Sequence, residues 1–158
     1  MYEYVDSTHL DYEKVTNTMI YQGADICRNK ISKNYLQNVL KNATYSFVNY
    51  GKIAQIGQKR TSPIKEYYIQ SFIICNVFPD QMIIKLICAR PTSKDGKELM
   101  KMAEKKAKQD GIPQIALFSI CETSLVNWYK KQGYEVRNTI MYDDDDNKPK
   151  VYYMIKYI

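Results

Sequence analysis

Two nearly continuous apolar runs, MIIKLICA at 82–89 and QIALFSI at 114–120, flank a segment whose apolar residues recur at helical spacing. Runs of this kind suit strands covered on both faces, and Lys85 is the one charged residue in the first of them. Between the runs, RPTSKDG at 90–96 cannot continue a strand. From Gly96 onward Leu99, Met100, Ala103 and Ala107 line up on one side of a helix, which Asp110-Gly111-Ile112-Pro113 stops after Gln109. Strand, helix and strand within about forty residues form a crossover unit, so the two strands are expected to be parallel or nearly so.

The remaining elements are arranged around this unit. Tyr2 and Tyr4 alternate with Glu3, which reads as a short first strand over 1–5. Asp11 is placed to cap a helix carrying Val15, Met19 and Ile20 and running to about Gly23. Ser32 caps a second one, with Ile31 and Leu36 spaced as a hydrophobic staple and Leu36, Val39 and Leu40 on one face. The period then changes to two, giving strands at 44–50 and 69–78, with turns at Gly51-Lys52 and Pro79-Asp80 and a polar loop over 58–65. After Cys121 a helix at 123–132 turns Leu125, Trp128 and Tyr129 inward and ends at Gly133. Strands at 135–141 and 150–158 close the chain around a loop at 143–147. The expected architecture is a single α/β (α+β) domain over 1–158: a mixed, mostly antiparallel sheet flanked by about four helices.

Composition narrows the functional classes. At 158 residues, 45% hydrophobic and 25% charged, the chain suits one globular domain. It holds no run of the roughly 20 apolar residues that a membrane span needs, and its first residues lack the basic and apolar regions of a secretory signal. A soluble, intracellular, cytoplasmic protein without a membrane partner is expected. The four cysteines, Cys27, Cys75, Cys88 and Cys121, match no paired metal-ligand spacing, and His9 is the sole histidine. No metal and reduced, buried thiols are therefore expected. The net charge of +6 coexists with four consecutive aspartates, Asp143 to Asp146. Charge alone selects no ligand. The tyrosines do not form the paired aromatic motifs of an RNA-binding sheet, so nucleic acid is not an expected partner.

The order strand, basic loop with glycine, helix, strand, followed by a helix reading TSLVNWYKKQGY at 123–134, resembles the acetyl-CoA-binding core of the GNAT superfamily. In that family the last core helix commonly ends in tyrosine, three residues, glycine and an aromatic. Tyr129, Gly133 and Tyr134 occupy those places, and YMIKY at 153–157 is similar to the family's apolar, lysine-containing last strand. The resemblance covers 82–134. It implies a GNAT-like domain with splayed middle strands and an N-acetyltransferase activity. Acetyl-CoA is the implied co-substrate, and a primary amine, either a small amine or a protein lysine or N-terminus, attacks it directly in a ternary complex. The alternative is a GNAT-fold module that no longer catalyses and binds a protein or nucleic acid. Monomer and homodimer both remain open.

The resemblance also assigns residues. Coenzyme A carries a pyrophosphate, which calls for backbone N–H groups converging at the positive end of a helix. The family writes this loop as glutamine or arginine, two residues, glycine, one residue, then glycine or alanine. Gly96 takes the last position, and Lys94 stands where the first glycine is expected. Arg90, Thr92, Ser93, Lys94, Asp95, Gly96 and Lys97 are thus the implied phosphate-binding residues, and the backbone of Leu86, Ile87 and Cys88 is expected to bond the pantetheine arm. Tyr129 is the implied general acid, protonating the departing sulfur. Glu122 is the candidate base, acting through water, or else a residue that favours the start of its helix. Glu66, Asp80 and the carboxylate of Ile158 are the other carboxylates considered. Cys88 and Cys121 flank the central strands, but no histidine accompanies them, so an acyl-cysteine route is not expected. Lys101, Lys105, Lys106 and Lys108 give the crossover helix a basic outer face, and the aspartate loop is placed to border the acceptor.

Overall fold

The computed structural model describes residues 2–5, 33–52, 67–89, 93–120, 122–141 and 149–158. Among the described residues seven strands form one sheet: β1 (Tyr2–Val5), β2 (Tyr45–Lys52), β3 (Tyr67–Phe78), β4 (Gln81–Cys88), β5 (Gln114–Ile120), β6 (Glu135–Met141) and β7 (Pro149–Tyr157). Three helices are described: α1 (Lys33–Lys41), α2 (Asp95–Gln109) and α3 (Thr123–Lys131). The spatial order is β1-β2-β3-β4-β5-β7-β6, with every neighbouring pair antiparallel except β4 and β5. The parallel pair is the one joined through α2, because a helical crossover returns the chain in the direction it came from. β7 enters the sheet between β5 and β6, so the last strand to be made holds the second half together.

Strand alternation divides the core between the two faces. Ile73, Cys75, Met82, Ile84, Ile115, Leu117 and Met154 point to one face. There they meet Leu99, Met100, Ala103 and Ala107 of α2 and Val126 and Tyr129 of α3 in one buried cluster. The face read from the helical period of α2 is thus the face it buries. Leu99 is fully enclosed, and truncating it to alanine costs about 2–5 kcal/mol by loss of burial and cavity formation. Val48, Phe72, Ile74 and Ala116 are buried on the opposite face, and Val39 and Leu40 of α1 are buried outside the first cluster.

Both long connections end in the same backbone device. After α2, Gly111 (φ 70) donates to the Lys108 carbonyl and Ile112 to that of Ala107. After α3, Gly133 (φ 97) donates to Lys130 and Tyr134 to Tyr129. These bonds satisfy the last carbonyls of each helix and need a left-handed residue at the glycine position. The apolar contact that accompanies the motif is present too: the rings of Tyr129 and Tyr134 meet edge to face with centroids 6.2 Å apart. Lys156 of β7 then fastens this corner, donating to the Gln132 carbonyl at 2.7 Å and to Glu104 of α2 at 3.0 Å.

Several expectations meet a different outcome. α2 begins at Asp95, one residue earlier than its period suggested. Cys88 is disulfide-bonded, its partner lying outside the described residues, whereas Cys75 is a buried free thiol. Spacing in sequence carries no information about which sulfurs a fold brings together, which is why reduced thiols were expected. Lys106 does not lie on the outer face with its neighbours. It reaches Asp110 at 3.6 Å and sits 5.0 Å from the Tyr45 ring centre, while Lys101, Lys105 and Lys108 are exposed. The helix expected over 11–23, the cap at Ser32 and the loops at 58–65 and 143–147 lie outside the described residues. Among the described residues there is no group of metal-ligating side chains and no helix long and apolar enough to cross a membrane.

Candidate functional site

The two central strands separate. β4 pairs with β5 at Met82↔Ile115, Ile83↔Ala116 and Ile84↔Leu117, and the pairing goes no further, although β4 continues to Cys88 and β5 to Ile120. Each strand stays bonded on its outer side: β4 to β3 as far as Cys88↔Phe72, and β5 to β7 along its whole length. A bulge drives the separation. Ile74 faces Leu86 but Cys75 faces Ile84, so Lys85 is an extra residue that bends β4 where the β5 pairing ends. The other end is pinned shut by Gln81, whose Oε1 accepts from Gln114 at 3.1 Å and from the Tyr153 hydroxyl at 3.0 Å. The slot therefore opens toward the carboxyl ends of the strands, the side on which open α/β sheets bind ligands.

Residues 86–88 are bonded to β3 and not to β5, as a strand must be if it is to bond an extended ligand along its other edge. The side chains of Leu86 and Ile87 are half-buried, and that of Cys88 is buried.

The first turn of α2 stands at the open end. Lys94, at its N-cap, makes no side-chain capping bond, and the Asp95 N–H donates to Ser93 Oγ at 3.3 Å. Glu98 is the first residue bonded back, to Lys94 at 3.1 Å, so the amides of Gly96 and Lys97 precede any intrahelical acceptor. The exposed side chains of Lys94 and Lys97 add positive charge. Lys94 has φ −83 and ψ 0, a conformation open to any residue, so the turn does not require the glycine that the resemblance led one to expect. Gly96 sits in a close-packed spot: a Cβ there meets the Trp128 ring at 3.3 Å, tighter than an ordinary contact, and Ala89 at 3.6 Å. The Asp95 side chain is buried. Arg90 and Thr92 lie outside the described residues.

Trp128 thereby couples the turn to α3, and its ring lies 5.1 Å from that of Tyr129. Tyr129 is buried, and that burial pushes its pKa up to about 12, so the phenol keeps its proton throughout the neutral range. Glu122 occupies the N-cap of α3 but does not cap it; its carboxylate accepts from Ser124 Oγ at 2.8 Å and is exposed. Asp80 and the C-terminus lie at the shut end, where Asp80 precedes β4 and Ile158 bonds back to Pro113. Neither carboxylate borders the slot. His9, Glu66, Cys121 and the aspartates 143–146 lie outside the described residues.

One residue of the site had no signal in the sequence. Tyr35 of α1 donates its hydroxyl to the carbonyl of Lys85 at 3.4 Å. This is the bulged residue at the vertex of the slot, 50 positions away in the chain. An open depression of about 530 Å³, lined by Tyr45, Val77, Phe78, Pro79, Lys106, Asp110 and Ile112, lies beyond the shut end. Its polar groups are occupied with one another: Tyr45 donates to Asp110, which pairs with Lys106.

No protein-family model and no curated protein matches the chain. Solved structures do. The chain superposes on an acetyltransferase from Bacillus subtilis in complex with CoA at a TM-score of 0.67 and 13% identity, covering 99% of this chain and 97% of that one. It superposes on a GNAT family acetyltransferase from Elizabethkingia anophelis with acetyl-CoA bound at 0.66 and 10%, covering 100% and 97%. An IAA acetyltransferase from Bacillus cereus gives 0.67 and 11% over 100% and 99%. The chain has the fold of the GNAT acetyltransferases.

Proposed function

We propose that the protein is an N-acetyltransferase that carries an acetyl group from acetyl-CoA to a primary amine. The observation that supports this reading best is the slot. Two parallel strands stop pairing at Ile84↔Leu117 while the first turn of α2, with the amides of Gly96 and Lys97 ahead of any intrahelical acceptor, stands at their open end, and solved acetyltransferases of the same fold hold CoA or acetyl-CoA. The residues fit the ligand's parts. The amides of Gly96 and Lys97, with the charges of Lys94 and Lys97, suit a pyrophosphate; the open edge of residues 86–88 suits an amide-bearing chain.

The thioester supplies an acetyl group already activated for attack. The protein's task is then to position and to manage protons. In a direct transfer the amine's electron pair forms the C–N bond while the electrons of the C–S bond leave with sulfur. Tyr129, protonated and buried beside Trp128, holds a proton for that sulfur. The amine loses one proton, and Glu122, just past β5, is the carboxylate placed to take it through water, sharing that role with its bond to Ser124. The test is release of free thiol from acetyl-CoA as a function of added primary amine. Release that rises with amine and saturates supports the reading, and release that ignores every amine removes it.

A further inference from the structure

The geometry points to Tyr35 and the carbonyl of Lys85 as the pair that receives the acceptor amine, an assignment that rests on the acetyltransferase reading. Lys85 is the extra residue of the β4 bulge and also the first beyond the β5 pairing, so its carbonyl marks the vertex at which the slot begins. Tyr35 reaches that carbonyl from α1, 50 positions away in the chain.

The contact itself suits an exchangeable ligand. At 3.4 Å it exceeds the roughly 2.5–3.0 Å of a strong hydroxyl bond. Tyr35 is 49% exposed, so a ligand can reach it. A primary amine aligned for attack directs its lone pair at the thioester carbon and has two N–H groups left to place. The Lys85 carbonyl accepts one and the Tyr35 oxygen the other, which orients the lone pair. An ammonium arriving at the same two oxygens loses its third proton to water, after which the C–N bond forms and the C–S electron pair departs as above. A secondary amine has one N–H fewer and leaves one of the two oxygens unmatched, so the pair selects for primary amines.

The experiment compares wild type with Tyr35→Phe, using n-butylamine, N-methylbutylamine and the peptide amide Gly-Ala-Ala-NH2 as acceptors. The expected result is a KM for n-butylamine and for the peptide about tenfold higher in the variant, the loss of one hydrogen bond to an amine. The preference for n-butylamine over its N-methyl form should shrink several-fold, with the KM for acetyl-CoA unchanged. An unaltered acceptor KM and an unaltered primary-to-secondary ratio in an active variant overturn the assignment. If wild type turns over no amine, the acetyltransferase reading fails on its own. Calorimetric titration of n-butylamine into CoA-saturated protein then decides Tyr35 separately: binding about tenfold weaker in the variant supports it, and equal or absent binding overturns it.

Discussion

Tyr129 and Gly133 show how one short motif serves two purposes. The spacing tyrosine, three residues, glycine, aromatic is what a helix needs to end in a left-handed glycine with its last carbonyls satisfied and two rings in contact. Part of the signature is therefore structural, and in the proposed acetyl transfer the hydroxyl of Tyr129 is the part left for chemistry. Tyr129→Phe keeps the ring packing and removes the proton donor. It should lower kcat about a hundredfold while the affinity for CoA and the melting temperature stay close to wild type. A variant that loses stability but keeps kcat would assign Tyr129 to the core alone. Gly133→Ala places a Cβ 3.1 Å from Lys156 Cε at φ 97. Urea unfolding should show a loss of about 1–3 kcal/mol from backbone strain and displacement of the Lys156 bonds.

At the scale of elements, the crossover unit was the most legible part of the chain. Its two apolar runs and the helical period of Leu99, Met100, Ala103 and Ala107 are properties of contiguous residues, and burial follows them directly. The bulge at Lys85, the disulfide at Cys88 and the reach of Tyr35 are not properties of contiguous residues. Each depends on a partner brought in by the fold, Ile74 and Cys75 for the first and a separation of 50 residues for the last. Lys94 is an intermediate case: its identity departs from the family's loop, and only its backbone angles show that the turn tolerates it. The first turn of α2 also carries a prediction. Replacing Lys94 and Lys97 by alanine should weaken CoA binding about tenfold at low salt, with a smaller effect as salt rises, and should leave the binding of acetylpantetheine unchanged. Equal losses for both ligands in calorimetry would remove these lysines from the phosphate site.

At the scale of the whole molecule, Cys75, Tyr129 and Tyr134 are weak acids buried together on one face of the sheet. Burial pushes Cys75 and Tyr129 up to about 12 and raises Tyr134 as well, with the Glu104 charge a secondary cause for the last. Each group binds its proton more tightly in the folded protein than in the unfolded chain, where thiol and phenols titrate near pH 9 and 10. Their contribution to stability is therefore fully present below about pH 9 and is lost as the pH climbs through 12. Denaturation followed at rising pH should show level stability up to about pH 9 and a fall of up to about 1.4 kcal/mol per pH unit and per group beyond it. No loss of activity near neutrality should trace to Tyr129, which stays protonated there. All of this serves a sheet whose middle strands are held together at one end and apart at the other. Isothermal calorimetry with coenzyme A tests that arrangement most directly. The slot and the first turn of α2 predict one site per chain with micromolar or tighter affinity, and heats indistinguishable from dilution would contradict the account.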